Sequence, residues 1–182
     1  MIHQRTKIRH AVADLMVGHT DAGDRVFRTR VLPARRLKLP SISVYTLSES
    51  VNPDGRLTAP REDTRILDLT IEAWVRSSTS KYDEPVDDIM DSISLQIERS
   101  VMVDPQLGGI ASDLYLRSTD TEVVEIGDRM MGLVVMTFGV EYCALASVYP
   151  GVIGDFVTAD AITNLSGSQN ITDRTEDRVS VQ

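Results

Sequence analysis

The densest group of residues that could do chemistry is an acidic run at the start of a predicted helix. Its members are Asp83, Glu84, Asp87, Asp88 and Asp91. A spacing of four residues places Glu84 beside Asp88, and Asp87 beside Asp91, so that each pair could attract a divalent cation. Acids near a helix start also stabilise its positive end and keep its outer surface in water. We favour this structural interpretation, and the sequence predicts no metal site here.

The three histidines all lie near the N-terminus, at His3, His10 and His19. His3 and His10 are seven residues apart and could share a helix face, and Asp14 lies one turn beyond His10. Imidazole and carboxylate groups are metal ligands. Three loosely spaced groups on a surface helix are nevertheless a weak signal, so we predict solvated side chains and no bound metal.

The other reactive residue types form no recognisable catalytic set. Gly108 and Gly109 lack the spacing of a phosphate-binding loop, and no nucleophile has a base at a recognisable distance along the chain. The single cysteine, Cys143, excludes an intrachain disulfide. Because it ends an apolar strand pattern, we expect a small buried hydrophobe rather than a reactive thiol. The sequence therefore predicts no enzyme and no cofactor.

Two amphipathic helices are predicted. The first runs from about Ile2 to Val17, because its apolar residues recur at helical spacing. The second runs from Asp83 to Val103, and Pro85 is tolerated in its first turn. Its apolar stripe consists of Val86, Ile89, Met90, Ile93, Ile97 and Val101.

Strand patterns occupy most of the remaining chain. The predicted strands are Arg25–Leu32, Ser41–Leu47, Arg65–Arg76, Ser112–Thr119 and Asp128–Ala144. The third alternates regularly between apolar and polar residues, which is typical of a half-buried strand. The last is apolar on both sides, so we expect it to be central and covered on both faces. We interpret Ser48–Thr64 as a polar loop or hairpin tip, and Asp120–Gly127 as an acidic connection.

This order predicts an α+β domain, with two helices packed on a mostly antiparallel sheet. The predicted domain covers residues 1–144. Residues 145–182 are predicted to form an extended C-terminal arm that lacks its own core, and the arm could be disordered or could order against a neighbouring subunit.

Composition favours a soluble globular protein. The 182 residues are 42% apolar and 25% charged, and no apolar run approaches the roughly 18 residues that span a bilayer. Residues 1–7 lack the apolar core of a signal peptide. We therefore expect a protein that stays in the cytoplasm in which it is made.

The formal net charge of −8 is distributed unevenly along the chain. Residues 1–40 have a local net charge of +6, and the remainder has a net charge of −14. Oppositely charged regions suit head-to-tail packing in a ring, although chance unevenness on a solvated surface is the alternative. Specific nucleic-acid binding is not favoured, because the basic segment has few aromatic residues.

Several features together resemble the tail-terminator family of long-tailed bacteriophages, also called minor tail protein U or tail completion proteins. They are the first helix, Arg25-Val26-Phe27-Arg28-Thr29-Arg30, Leu39-Pro40-Ser41-Ile42-Ser43-Val44-Tyr45, strand Arg65–Arg76, helix Asp83–Val103 and the final Val140-Glu141-Tyr142. The resemblance covers roughly residues 2–144. The segment beyond Ala144 is longer than the family leads us to expect.

This resemblance implies a structural virion protein at the head-proximal end of the tail. It implies a homohexameric ring that caps the tail tube, ends tube polymerisation and offers a head-tail joining surface. The implied partners are other copies of the chain, the tail tube protein, a head-completion or neck protein, and sheath protein where a sheath exists. Genome DNA would pass through the ring without specific binding. The alternative is a head-tail connector or neck protein, and less favoured still is a small enzyme.

Candidate contact residues lie in the basic segment and on the third strand. We expect the basic residues to face an acidic neighbouring surface, with solvated charge as the alternative; they are Arg28, Arg30, Arg35, Arg36 and Lys38. Trp74 lies on the otherwise polar side of its strand. It could anchor a subunit interface, where tryptophan is enriched, or pack under the preceding loop.

Overall fold

A sheet with helices on one of its faces forms the described part of the chain. The structure is a computed structural model that describes residues 2–29, 38–53, 62–77, 85–126 and 129–145. The predicted α+β class and element order are confirmed. Within those residues the elements are α1 (Gln4–Met16), β1 (Val26–Phe27), β2 (Ser41–Pro53), β3 (Glu62–Arg76), α2 (Val86–Val101), a short 3-10 helix (Leu107–Gly109), β4 (Asp113–Ile126) and β5 (Arg129–Leu145).

The strands of this sheet lie in the order β1-β2-β3-β5-β4. β1 pairs with β2 in parallel, and all other described neighbours are antiparallel. β5 lies in the interior of the sheet, as expected, because it is paired with β3 on one side and with β4 on the other, and β3 occupies the middle position. The side chains of Leu133 and Val135 on the second face of β5 are half-buried rather than fully covered.

The hydrophobic core lies between the helices and one face of the sheet. The alternate residues predicted for β3 are fully buried there, as are the even-numbered residues of β5 from Val134 to Tyr142. The predicted stripe of α2 covers them, with Ile89 only partly buried. α1 contributes Ile8, Val12, Ala13 and Met16. The apolar residues that repeat about every 3.6 positions in the helices and every 2 positions in the strands therefore pack together in one buried layer.

Two predicted connections are largely strand. β2 continues to Pro53 and β3 begins at Glu62, so residues 48–53 and 62–64 of the predicted loop Ser48–Thr64 are strands of an antiparallel hairpin, and residues 54–61 lie outside the described residues. β4 continues to Ile126, so the predicted acidic connection is also strand. The polar sequences of these strand ends did not predict strands. The ends are held by main-chain hydrogen bonds to the neighbouring strand, even where their side chains are in water.

Two other elements are shorter than predicted. β1 ends at Phe27, before a bend at Arg28, whose side chain binds Asp14 of α1. Residues 30–32 of the predicted strand lie outside the described residues. α2 begins at Val86 and ends at Val101, and Pro85 is its N-cap residue. All described residues belong to one compact unit, Met1–Ala146. The predicted arm lies outside the described residues, apart from Leu145, which ends β5.

Candidate interaction surfaces

The sheet face opposite to the core, which we call the outer face, carries a polar network centred on Asp68. The carboxylate of Asp68 in β3 accepts hydrogen bonds from Ser48 of β2 on one side and from Arg117 of β4 on the other. Ser48 and Arg117 both lie where the strand register shifts. A bulge re-aims a side chain, and here two bulges direct polar groups at one acceptor.

Arg117 reaches Asp68 across β5 because the residue between them is glycine. Gly139 of β5 pairs with Asp68 on one side and with Tyr115 of β4 on the other. A Cβ atom on Gly139 would lie only 2.7 Å from Cζ of Tyr115 and 2.8 Å from Nε of Arg117. The hydrogen bond to Tyr115 and the charge of Asp68 raise the pKa of Arg117. The guanidinium therefore stays charged and joins β4 to β3.

Trp74 lies on the outer face, where its indole is held in one orientation. Its Nε1 donates to Oε1 of Glu72 at 2.7 Å, and the hydroxyl of Tyr45 donates to Oε2 of the same carboxylate at 3.1 Å. The ring is half-buried, and Leu133 is its neighbour on β5. A large, half-exposed and oriented aromatic group is typical of a contact residue. Its role at an interface stays a prediction.

The predicted basic residues are only partly described. Arg28 is exposed and forms an ion pair with Asp14 of α1, on the side of the sheet that the helices cover. Lys38 is exposed. Arg30, Arg35 and Arg36 lie outside the described residues. The structure therefore places Arg28 and Trp74 on opposite sides of the sheet, and they do not form one surface.

A second polar cluster lies on the core side, toward the Pro53 and Glu62 ends of the β2–β3 hairpin. Glu49 accepts a hydrogen bond from the hydroxyl of Tyr142 and an ion-pair contact of 3.3 Å from Nη1 of Arg65. Desolvation by burial, together with the bond to Glu49, raises the pKa of Tyr142 to about 12. Tyr142 therefore stays protonated at neutral pH and ties the end of β5 to the hairpin.

Some of the residues considered for metal binding lie at the starts of the helices. His3 caps α1, because its ring accepts a hydrogen bond from the backbone of Arg5 at 3.2 Å. Asp87 and Asp88 lie in the first turn of α2, and Asp91 is exposed one turn further. Asp83 and Glu84 lie outside the described residues. No group of three or more His, Cys, Asp or Glu side chains able to hold a metal ion occurs in the part of the chain that the structure describes.

The interpretation of Cys143 as a buried hydrophobe was wrong, because its side chain is exposed. Strand alternation turns Tyr142 into the core and therefore turns Cys143 outward, next to Thr64 of β3. The apolar run before it did not reveal this, since both faces of β5 carry apolar residues.

Each edge of the described sheet has a different character. β4 forms one edge over its full length and has a strand neighbour only in β5. The two residues of β1 form the other edge and cover only Ile42 and Ser43 of β2. Beyond them the β2 edge exposes two apolar side chains, Leu47 and Val51. Sequence reasoning missed both edges, because edge position depends on strand order rather than on local pattern.

Comparisons with known proteins leave the family unassigned. No family model and no curated protein matches the sequence. One solved structure with a similar chain is described as the virion of a native gene transfer agent (GTA) particle. The match has 13% sequence identity and a TM-score of 0.32, and it covers 72% of this chain and 84% of that chain. A likeness at this level supports no conclusion about function. No helix among the described residues has the length and apolar character needed to cross a bilayer.

Proposed function

We propose that this protein is a structural virion protein, the tail terminator of a long-tailed phage. Copies of the chain form a ring that caps the tail tube, stops the addition of tube protein and offers a joining surface to the head-completion or neck protein. No covalent bond is made or broken in this role. The ring acts by shape, because it matches the tube end on one side and presents no tube-like end on the other.

The element order carries this proposal. The tail-terminator resemblance rests on a helix, three strands, a second helix and two strands, and the described residues have that order. The features that carry the resemblance include Ser41–Tyr45 and Arg65–Arg76, which are strands β2 and β3. In the described part of the chain, the edges of the sheet have no further strand neighbour, which also suits a protein that works by association.

One of the surfaces described above suits contact with an expected partner. Trp74 and the polar network around Asp68 lie on the outer face, which is the larger part of the sheet that no described helix covers. We assign this face to contact with the tube or the neck. A rigid aromatic group held by a hydrogen bond loses little conformational entropy when a partner covers it.

Removal of the gene product from an infection tests the proposal. We expect tails of uncontrolled length, because tube protein continues to add when no ring caps the tube. Electron microscopy of lysates gives the length distribution. Tails of normal length that fail to join heads would instead identify a connector or neck protein and would overturn the proposed role.

A purified system provides the matching control. Tube protein polymerised with the wild-type chain should give short, capped tubes. With albumin at the same concentration, it should give tubes of uncontrolled length. A chain that leaves tube length unchanged at every ratio contradicts the proposal. Trp74→Ala should weaken capping, whereas Val103→Ala, at an exposed position after α2, should leave it unchanged.

A further inference from the structure

We propose that the outer face beside Trp74 receives an arginine side chain from a basic segment of a partner protein. This inference rests on the proposed function, which assigns the outer face to contact with the tube or the neck, and it specifies the chemistry of that contact. In this contact the guanidinium group lies on the Trp74 ring, between Glu72 of β3 and the acids of β4.

Six residues form two neighbouring rows across β3, β5 and β4 on the outer face, and we call them the Trp74 patch. The first row is Trp74, Leu133 and Glu122, and the second is Glu72, Val135 and Asp120. Adjacent positions across a strand pair lie about 5 Å apart, so the β4 acids lie about 10 Å from β3. Leu133 and Val135 are half-buried and form an apolar floor between the acids. A side chain that lies on this floor can contact carboxylates on both sides of it.

Glu72 has two hydrogen bonds but no positively charged partner among the described residues. Its carboxylate accepts from the indole of Trp74 and from the hydroxyl of Tyr45, which are both neutral donors. These bonds orient the carboxylate and leave its charge uncompensated. An ionised carboxylate has about four acceptor positions, so about two of them remain for a further donor.

Asp68, on the same face of β3, shows what Glu72 lacks. Arg117 of β4 reaches Asp68 across β5 and supplies a positive charge. In the row of Glu72 the β4 residue is instead Asp120, so that an acid faces an acid across Val135. Two negative charges repel each other, and a cation placed between them reduces this repulsion. No described residue places a cation there, and a partner protein can.

The acids of the Trp74 patch outnumber the one base beside it. Arg76 follows Trp74 on the same side of β3 and is exposed. Arg117 lies beyond the second row, and its charge is paired with Asp68. Three carboxylates and the guanidinium of Arg76 give a net charge of −2 for the described side chains, which do not include that of Arg129. A basic partner segment is therefore the complementary one.

Arginine fits this patch better than lysine. Its guanidinium is planar, stacks on aromatic rings and binds carboxylates through several N–H groups at once. Tryptophan is the aromatic side chain that attracts a cation most strongly. Because Nε1 of Trp74 lies 2.7 Å from Oε1 of Glu72, a guanidinium on the ring has this carboxylate at its edge. Tryptophan and arginine are also the residues most often found at the energetic centre of interfaces.

Fluorescence titration with an acetylated tetra-arginine amide tests the patch directly, because Trp74 is the only tryptophan of the chain. The emission of Trp74 should change and reach a plateau, and tetra-lysine at equal ionic strength should bind more weakly. A rim variant, Asp120→Asn with Glu122→Gln, should raise the Kd for tetra-arginine about tenfold, because two attracting charges are lost. Glu72→Gln keeps an oxygen that accepts from the indole, and it should also raise the Kd.

A matched control separates the patch from net charge. Asp91→Asn with Glu98→Gln removes the same two charges from exposed positions of α2, on the other side of the sheet. Its Kd for tetra-arginine should equal that of the wild type. Urea unfolding then separates contact from a structural role, because the rim variant should be at least as stable as the wild type once the acids of β4 no longer repel Glu72. A rim variant that binds weakly only because it is less stable contradicts the inference.

Three results of the titration overturn the inference. They are an emission of Trp74 that does not respond to tetra-arginine, equal affinities for tetra-arginine and tetra-lysine, and a control that binds as weakly as the rim variant. Equal affinities would show that charge alone attracts the peptides, without the Trp74 ring.

Complementation of an infection that lacks the gene product separates this inference from the proposed function. The rim variant and Glu72→Gln should give overlong tails or tails that do not join heads, whereas the α2 control should restore normal particles. If the wild type restores normal particles and the patch variants do so equally well, the proposed function stands and the patch is not the contact. If tetra-arginine binds as expected but loss of the gene product leaves tail length normal, the proposed function fails, while the patch keeps its preference for arginine.

Discussion

Gly132 and Gly139 lie on opposite faces of β5. Each lets neighbouring side chains lie close to the strand, in space that a methyl group would occupy. A Cβ atom on Gly132 would lie 2.5 Å from Sδ of Met90 and 2.9 Å from Cγ2 of Val75, both in the core. The neighbours of Gly139 are instead the outer ends of Tyr115 and Arg117. The two glycines therefore permit the docking of α2 and the crossing of Arg117, respectively.

We expect Gly132→Ala to destabilise the fold more than Gly139→Ala. Overpacking of a closed core costs about 1–3 kcal/mol, whereas Tyr115 and Arg117 can move outward and lose an ion pair worth at most about 1 kcal/mol. Denaturant unfolding of both variants gives the two free energies. A larger loss in Gly139→Ala would show that the Asp68 network, rather than the packing of α2, limits stability.

Tyr142 predicts a loss of stability in alkaline solution. Burial and the bond to Glu49 raise its pKa in the folded chain from about 10 to about 12. Between these values the folded state still holds the phenolic proton and the unfolded state has lost it, so the free energy of unfolding falls as pH rises. Below about pH 10 the hydroxyl of Tyr142 is protonated in both states, so it does not make the free energy of unfolding depend on pH.

The variant Tyr142→Phe serves as the control for this titration. It removes the phenol, so its free energy of unfolding should fall less steeply between pH 10 and 12 than that of the wild type. Urea unfolding across this range, with tyrosinate absorbance recorded in parallel, measures the difference. Equal slopes for the two chains would show that Tyr142 titrates normally in the folded state.

At the scale of elements, β3 and β4 differ in how many neighbours they have. β3 is paired with β2 on one side and with β5 on the other over almost its whole length. β4 is paired only with β5 in the described sheet. Main-chain amides that face a neighbouring strand exchange slowly, and those at an open edge do not.

We therefore expect faster hydrogen exchange in β4 than in β3. In dilute protein, part of the amides of Ser118–Glu125 should exchange quickly, because they point away from β5, while those of Ile66–Trp74 stay protected. Uniform protection of β4 in dilute protein would contradict the open edge.

At the scale of the described unit, strand order places charged segments of the chain at different edges of the sheet. β4, which contains four acids and one base, forms one edge, and β1 forms the other. The described residues next to β1 carry charges of both signs, because Asp21 and Asp24 lie beside Arg25 and Arg28. In the described sheet, the β4 edge is therefore acidic and the β1 edge is mixed.

The sequence by itself determined the two helices, the inward faces of β3 and β5, and the α+β class. Each of these follows from periodic burial, because a helix or strand against a core must repeat its apolar residues every 3.6 or 2 positions. The sequence also predicted that Trp74 lies on the polar side of its strand, and the structure places it there.

Only the tertiary structure decided the strand order, the outer-face network and the two edges. The polar ends of β2 and β4 are held by main-chain bonds, which every residue except proline can make, so their side chains carry no strand signal. Asp68, Gly139 and Arg117 meet because three strands place them in adjacent positions. Glu122 of β4 lies level with Arg25, at the opposite edge of the sheet, only because the register of four successive strand pairings aligns them. No local pattern in the chain encodes such a relation.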